Sequence, residues 1–281
     1  MGGIIVSQKE TETFIYICGI SPIRSIKFDE NIDLLPVESE PVPDDMIDCV
    51  MKNGSKSEFE LGVLISTLRK TTAVLRIRNI IPKTLACMAW NAQWICVYIG
   101  ALLKCEVSWY FQANKSADEF NAFTKVNMIY PNMHKFPDEL KVINQEECDY
   151  LEQSMPKVLN LCKDYKLSTA MNALWSYKWN PNAAVQFSIV WGGIESLFLI
   201  ERKIKVRLAT AASRFLLGND DMIEKIKKLY EARCKAVHEL KSNGEALLDE
   251  SVNLLHSLIL RCVEVNDLPD VKVLLKEIKS S

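Results

Sequence analysis

Histidine is scarce in this chain of 281 residues: there are three, His134, His238 and His256. None follows a Ser-His-Asp order and G-x-S-x-G does not occur, which removes the serine-hydrolase arrangement. A P-loop and G-x-G-x-x-G are both missing, so the glycine-rich cradles for nucleotide phosphates are excluded. Gly192-Gly193 lies in an apolar helical stretch and reads as close helix packing. The nine cysteines form no C-x-x-C pair, their number is odd, and no spacing matches a zinc or magnesium ligand set. No metal or other cofactor is therefore expected. The opening Met1-Gly-Gly-Ile-Ile-Val lacks the basic and long apolar regions of a signal peptide. Together these absences point to a reducing cytoplasm and to free, mostly buried thiols. A net charge of -2 supplies no overall basic field, so any contact with nucleic acid has to come from a local patch.

One long uncharged run is present. Residues 85–103 contain no Asp, Glu, Lys or Arg, close to the length of a membrane span. Asn91 and Gln93 interrupt it beside Trp90 and Trp94, and Lys104 and Glu106 follow at once. The run therefore reads as a buried helix followed by a strand over 106–112, and no membrane is expected as a partner.

The chain divides by character into an N-terminal α/β region, residues 1–137, and an all-helical region, residues 138–281, an α+β protein in all. In the first, Phe14-Ile-Tyr-Ile-Cys-Gly-Ile and Ser25-Ile-Lys-Phe have strand composition, bounded by Gly19, Pro22 and Pro36. Residues 38–45, acidic and holding Pro41 and Pro43, read as a loop. Residues 58–80 are rich in β-branched side chains and fit strand or helix, with strands the favoured reading. The segment 127–138, with Pro131, Asn132, His134 and Pro137, reads as the boundary. Beyond it, helical periodicity predicts helices at 144–163, 167–178, 183–201, 204–217, 221–240 and 245–264, and a short one near 270–279. Asn180 or Asn182 and Asn219 or Asp220 supply cap chemistry at two starts. Short connections favour an antiparallel bundle.

The chemistry concentrates in the helix predicted at 221–240. Its apolar stripe runs through Met222, Ile226, Leu229/Tyr230, Ala236/Val237 and Leu240, and at about 100° per residue Arg233 falls on its centre line. A guanidinium there needs an anionic partner, a cleft or an interface, because burying it unpaired is costly. Glu195 is the candidate partner, set in the nearly all-apolar stretch 183–200. Two readings stand: a structural ion pair between packed helices, or a cleft-facing arginine. His238 follows Arg233 by five positions, so on an ideal helix the two point about 140° apart. They converge only if the helix loosens after Val237 or if two chains bring their motifs together. The run Glu201-Arg-Lys-Ile-Lys-Val-Arg207, with Arg214 beyond, forms a local basic patch; it is either a solvated helix end or a track for an RNA backbone through Arg202, Lys205, Arg207 and Arg214. Trp175, Trp179 and Trp191 read as core.

Three motifs in order, Phe187-Ser-Ile-Val-Trp-Gly-Gly-Ile-Glu-Ser-Leu-Phe, Arg207-Leu-Ala and Leu229-Tyr-Glu-Ala-Arg-Cys-Lys-Ala-Val-His238, resemble the Apea-like branch of the HEPN superfamily over roughly residues 140–281. The resemblance implies a HEPN-like helical bundle and a metal-independent endoribonuclease that works as a dimer, commonly a toxin-like effector in defence against phages. Arg233 and His238 match the family's R-x4-H catalytic pair. Glu195 matches a frequent acid of the neighbouring helix, and Tyr230 the tyrosine that precedes the arginine. At Cys234 the family more often has Asn, Asp or His, a departure that bears on activity. RNA is the expected substrate, a second copy of the chain the expected partner, and a protein or phage-derived trigger a further one, sensed by the N-terminal region. In such chemistry a histidine carries a proton and an arginine balances charge on the phosphorane. A module of the same fold that binds RNA, a nucleotide or a protein without cutting is the alternative.

Overall fold

The structure, a computed structural model, describes residues 4–40, 42–52, 58–129, 136–239 and 245–276. It is an α+β protein with a six-stranded antiparallel sheet in the N-terminal half and helices in the C-terminal half. Two compact units divide within one helix, at Pro156/Lys157.

In the first unit the strands are β1 (Glu12–Cys18), β2 (Ile20–Pro22), β3 (Ile26–Lys27), β4 (Ile32–Pro36), β5 (Thr71–Arg78), β6 (Ser108–Ala113), β7 (Val126–Met128) and β8 (Lys141–Ile143). The main sheet has the order β3-β4-β5-β1-β6-β7, every neighbouring pair antiparallel. Central β1 is buried from Thr13 to Cys18, which is why it reads as an unbroken run and not as an alternation. Helices α1 (Pro43–Lys52) and α2 (Glu58–Lys70) bring Met46, Cys49, Leu64 and Leu68 onto Phe14 and Tyr16. Helix α3 (Pro82–Leu103) packs against β1 and β5 and buries Leu85, Ala89, Ala92, Ile95, Cys96 and Ile99. Among the described residues α3 is the one helix long and apolar enough to cross a membrane, and 61% of that apolar window is buried inside the protein. It is a core helix.

Three sequence expectations change here. Residues 58–70 are helical rather than strand, because buried Leu64, Thr67 and Leu68 share one helical face against the sheet. Packing of that face outweighs the small helix penalty of β-branched residues. The expected loop 38–45 gives way at Pro43, where proline in the first turn and Asp44 and Asp45 beside the positive helix end favour α1. The division of the chain falls at 156/157 rather than 137/138. Strand β8 pairs in parallel with β2, and Arg24 binds the carboxylates of Asp149 and Glu152, so the start of α4 (Gln145–Leu161) belongs with the sheet. The boundary segment read at 127–138 lies partly outside the described residues, as does His134.

The second unit contains α5 (Tyr165–Ser176), α6 (Ala183–Phe198), α7 (Ile204–Phe215), α8 (Asp220–Glu239), α9 (Glu245–Val265) and α10 (Val271–Leu274). The longer expected helices appear, within a few residues at each end; the short one expected near 270–279 is helical only over Val271–Leu274, and its expected end lies outside the described residues. Asn182 caps α6 by accepting from the amides of Ala184 and Val185, and Asn219 accepts from Met222 at the start of α8. Helix α6 is central, packed against α5, α8 and α9. Gly193 permits this: a Cβ there would lie 2.7 Å from Ala173 Cβ and 3.1 Å from Leu255 Cδ2. Trp191 is fully buried, and its Nε1 donates to Ser251 Oγ on α9 at 3.2 Å.

Candidate functional site

Helix α8 turns Ile226 and Leu229, each 2% exposed, inward, and the same stripe carries Tyr230 and Arg233 towards α6. The Tyr230 ring meets Trp191 edge-on, centroids 5.2 Å apart and planes at 88°. The guanidinium of Arg233 stands over that ring at 5.8 Å. A buried indole fastened to Ser251 therefore braces the tyrosine that supports the arginine. Burial pushes the Tyr230 phenol up from its ordinary value; Glu195 and Cys234 add to this and Arg233 opposes it.

Arg233 reaches Glu195, but loosely. Nη2 stands 4.0 Å from Glu195 Oε1, beyond hydrogen-bonding distance, and the two side chains are 24% and 34% exposed. Its Nε is buried with no hydrogen-bond partner among the described residues. This is not the close, bidentate geometry that an arginine makes with a structural carboxylate. The guanidinium is part-open, and its Nη groups, not the buried Nε, are the donors that an anion could reach.

Glu195, Tyr230 and Arg233, read from the sequence as one cluster, do come together, and half-buried Cys234 lies near enough to influence Tyr230 and Lys205. His238 stands differently. The backbone is α-helical through Glu239, so the helix does not loosen after Val237. The side chain of His238 and residues 240–244 lie outside the described residues.

The basic patch splits in two. Lys205 Nζ is bound to Glu231 at 2.8 Å, and Arg214 Nη1 donates to the Leu274 carbonyl at 2.7 Å, tying α10 to α7. The side chains of Arg202, Lys203 and Arg207 make no hydrogen bond or ion pair among the described residues, which leaves them available to a polyanion. Trp191 is core as expected, while Trp175 and Trp179 are half-buried and meet each other at 5.5 Å.

A cleft of about 410 Å³ is lined by Glu195, Ser196, Leu199, Ile200, Glu201, Ile204 and Leu208; Arg233 does not line it but stands 4.0 Å from its Glu195 carboxylate. Sequence reasoning missed the cleft. Its lip, residues 199–203, is bracketed by Leu199 at φ 47° and Lys203 at φ 50°. Both hold the left-handed conformation that non-glycine residues seldom adopt, and neither residue type signals it. The chain matches no family model, no curated protein and no solved structure.

Proposed function

We propose that this chain is a metal-independent endoribonuclease of HEPN type that cuts RNA by attack of a ribose 2′-oxygen on the adjacent phosphate. The observation that carries the reading is the Arg233 guanidinium, held over Tyr230, part-open to solvent and, among the described carboxylates, 4.0 Å from Glu195. Such a fork is suited to phosphate oxygens. The 2′-hydroxyl loses its proton as its oxygen bonds to phosphorus, the bond from phosphorus to the 5′-oxygen breaks, and the leaving oxygen takes up a proton. The products are a 2′,3′-cyclic phosphate and a 5′-hydroxyl, and Arg233 balances charge on the phosphorane between them. His238 carries one proton step. A second copy of the chain supplies the second step and completes the site, so the active form is a homodimer. In this reading the protein is a cytoplasmic, toxin-like effector of anti-phage defence, triggered through its N-terminal unit.

The test is cleavage of labelled single-stranded RNA in EDTA by wild type, His238→Ala and Arg233→Ala. Cyclic phosphate ends formed by the wild type and lost in both variants are expected. A folded dimer that binds RNA without cutting it, and loses binding in Arg233→Ala, would sink the nuclease and leave a binding module. Cys234 favours that second reading, since it offers neither the amide, the carboxylate nor the imidazole usual after the arginine.

A further inference from the structure

The cleft beside Arg233 combines features that seldom meet. Its floor is aliphatic, from Leu199, Ile200, Ile204 and Leu208, and two carboxylates, Glu195 and Glu201, stand on its lining. Glu201 is exposed and makes no hydrogen bond or ion pair among the described residues. Ser196 contributes little, because its hydroxyl already donates within the fold, to the carbonyls of Gly193 and Lys166. The occupant that suits this lining has an apolar face and an edge of hydrogen-bond donors. The unpaired cations Arg202, Lys203 and Arg207 on the same segment repel a basic peptide and attract a polyanion. A polyanion whose side groups are flat and carry donors satisfies both demands. Glu195 also forms a wall common to the cleft and to Arg233, so a strand whose phosphate rests on the arginine enters the cleft with the neighbouring nucleoside.

We propose that this cleft reads a nucleobase through donors on its Watson–Crick edge, guanine above the others, next to the phosphate held by Arg233. Guanine presents an N1–H and an exocyclic amine side by side, a pair that one carboxylate accepts together; adenine and uracil do not. Glu201 is the reading residue, and Leu199 and Ile204 cover the ring face. The volume suits a ligand site of this kind, which is mostly apolar with a few placed polar groups. The proposal rests on RNA as the ligand of Arg233, not on cleavage.

The experiment is fluorescence anisotropy of the full chain with uncleavable 2′-O-methyl uridine oligomers carrying one guanosine, inosine or adenosine. Roughly tenfold tighter binding of the guanosine oligomer than of the adenosine one is expected, with inosine, which lacks the amine, between them. Glu201→Gln, a change at an exposed position with little risk to folding, should bring the three together and leave the all-uridine oligomer unaffected. Equal binding of all three by the wild type, or discrimination that survives in Glu201→Gln, overturns the base-reading cleft and leaves the RNA reading in place. No binding of any oligomer overturns both. Glu201-dependent capture of a lysine–leucine peptide, with RNA binding indifferent to Glu201, makes the cleft a peptide groove and also overturns it.

Discussion

Arg233 Nη2 halts 4.0 Å short of Glu195 Oε1, close enough for attraction and too far for a hydrogen bond. A pair so loose and only part-buried is screened by solvent, and it contributes no more than a surface ion pair does. Glu195→Gln should therefore lower stability by less than about 1 kcal/mol in urea unfolding. A loss of about 3–5 kcal/mol would instead identify a buried structural pair.

Arg233→Lys keeps the charge and removes the planar fork. If the guanidinium holds phosphate oxygens, cleavage should fall by about 100-fold or more, because one transition-state donor carries that much. Urea unfolding of the same variant should stay near wild type. Cleavage unchanged in Arg233→Lys would mean that charge alone suffices, and the fork would have no role.

The two adjacent glycines of α6 should behave in opposite ways. At Gly192 an added Cβ meets nothing within 4 Å, so Gly192→Ala should stabilise by about 0.5–1 kcal/mol through reduced backbone entropy in the unfolded chain. At Gly193 the same methyl presses on Ala173 Cβ and Leu255 Cδ2, and Gly193→Ala should cost about 1–3 kcal/mol. Thermal unfolding of the two variants side by side checks both signs. Equal effects would show that α5, α6 and α9 are not so closely packed.

Ser251 accepts the indole Nε1–H of Trp191 at 3.2 Å inside the bundle. Ser251→Ala leaves that donor buried and unmet, which should cost about 1–3 kcal/mol. Ser257→Ala is the control, since exposed Ser257 bonds only to the Asn253 carbonyl of its own helix, and it should change little. Because Trp191 braces Tyr230 beneath Arg233, Ser251→Ala should also weaken binding of the uncleavable oligomers. Intact binding in that variant would show that the brace does not reach the arginine.

Burial pushes the thiols of Cys18 and Cys262 up to about 12, and that of Cys96 higher still, because a thiolate is poorly solvated inside the protein. The reactive species is the thiolate, so all three should resist a thiol reagent at about pH 8. Exposed Cys87 should be labelled first. Mass spectrometry of the partly labelled native protein decides the order, and early modification of Cys18, Cys96 or Cys262 would contradict this burial.

The helical half was legible in the sequence because its signals are local. Apolar spacing at three and four residues, Asn182 and Asn219 as caps of α6 and α8, and short connections together placed the longer helices of the second unit to within a few residues. The placement of Arg233 on the stripe and its neighbourhood with Glu195 and Tyr230 followed from the same periodicity. Residues 58–70 were read as strand because β-branched composition is a weak local preference; contact with the sheet decided for helix. The extent of the first unit also escaped, since the pairing of β8 with β2 and the hold of Arg24 on α4 join residues far apart in the chain. The sequence by itself determined on which helix faces Arg233, Tyr230 and Glu195 lie. Only the tertiary structure decided that the Arg233–Glu195 pair stays open, that Lys205 and Arg214 are bound to other groups while, among the described residues, the side chains of Arg202, Lys203 and Arg207 are not, and that a cleft opens along Glu195. The reason is distance: periodicity sets direction around one helix, whereas a gap of an ångström between two helices depends on every side chain packed between them.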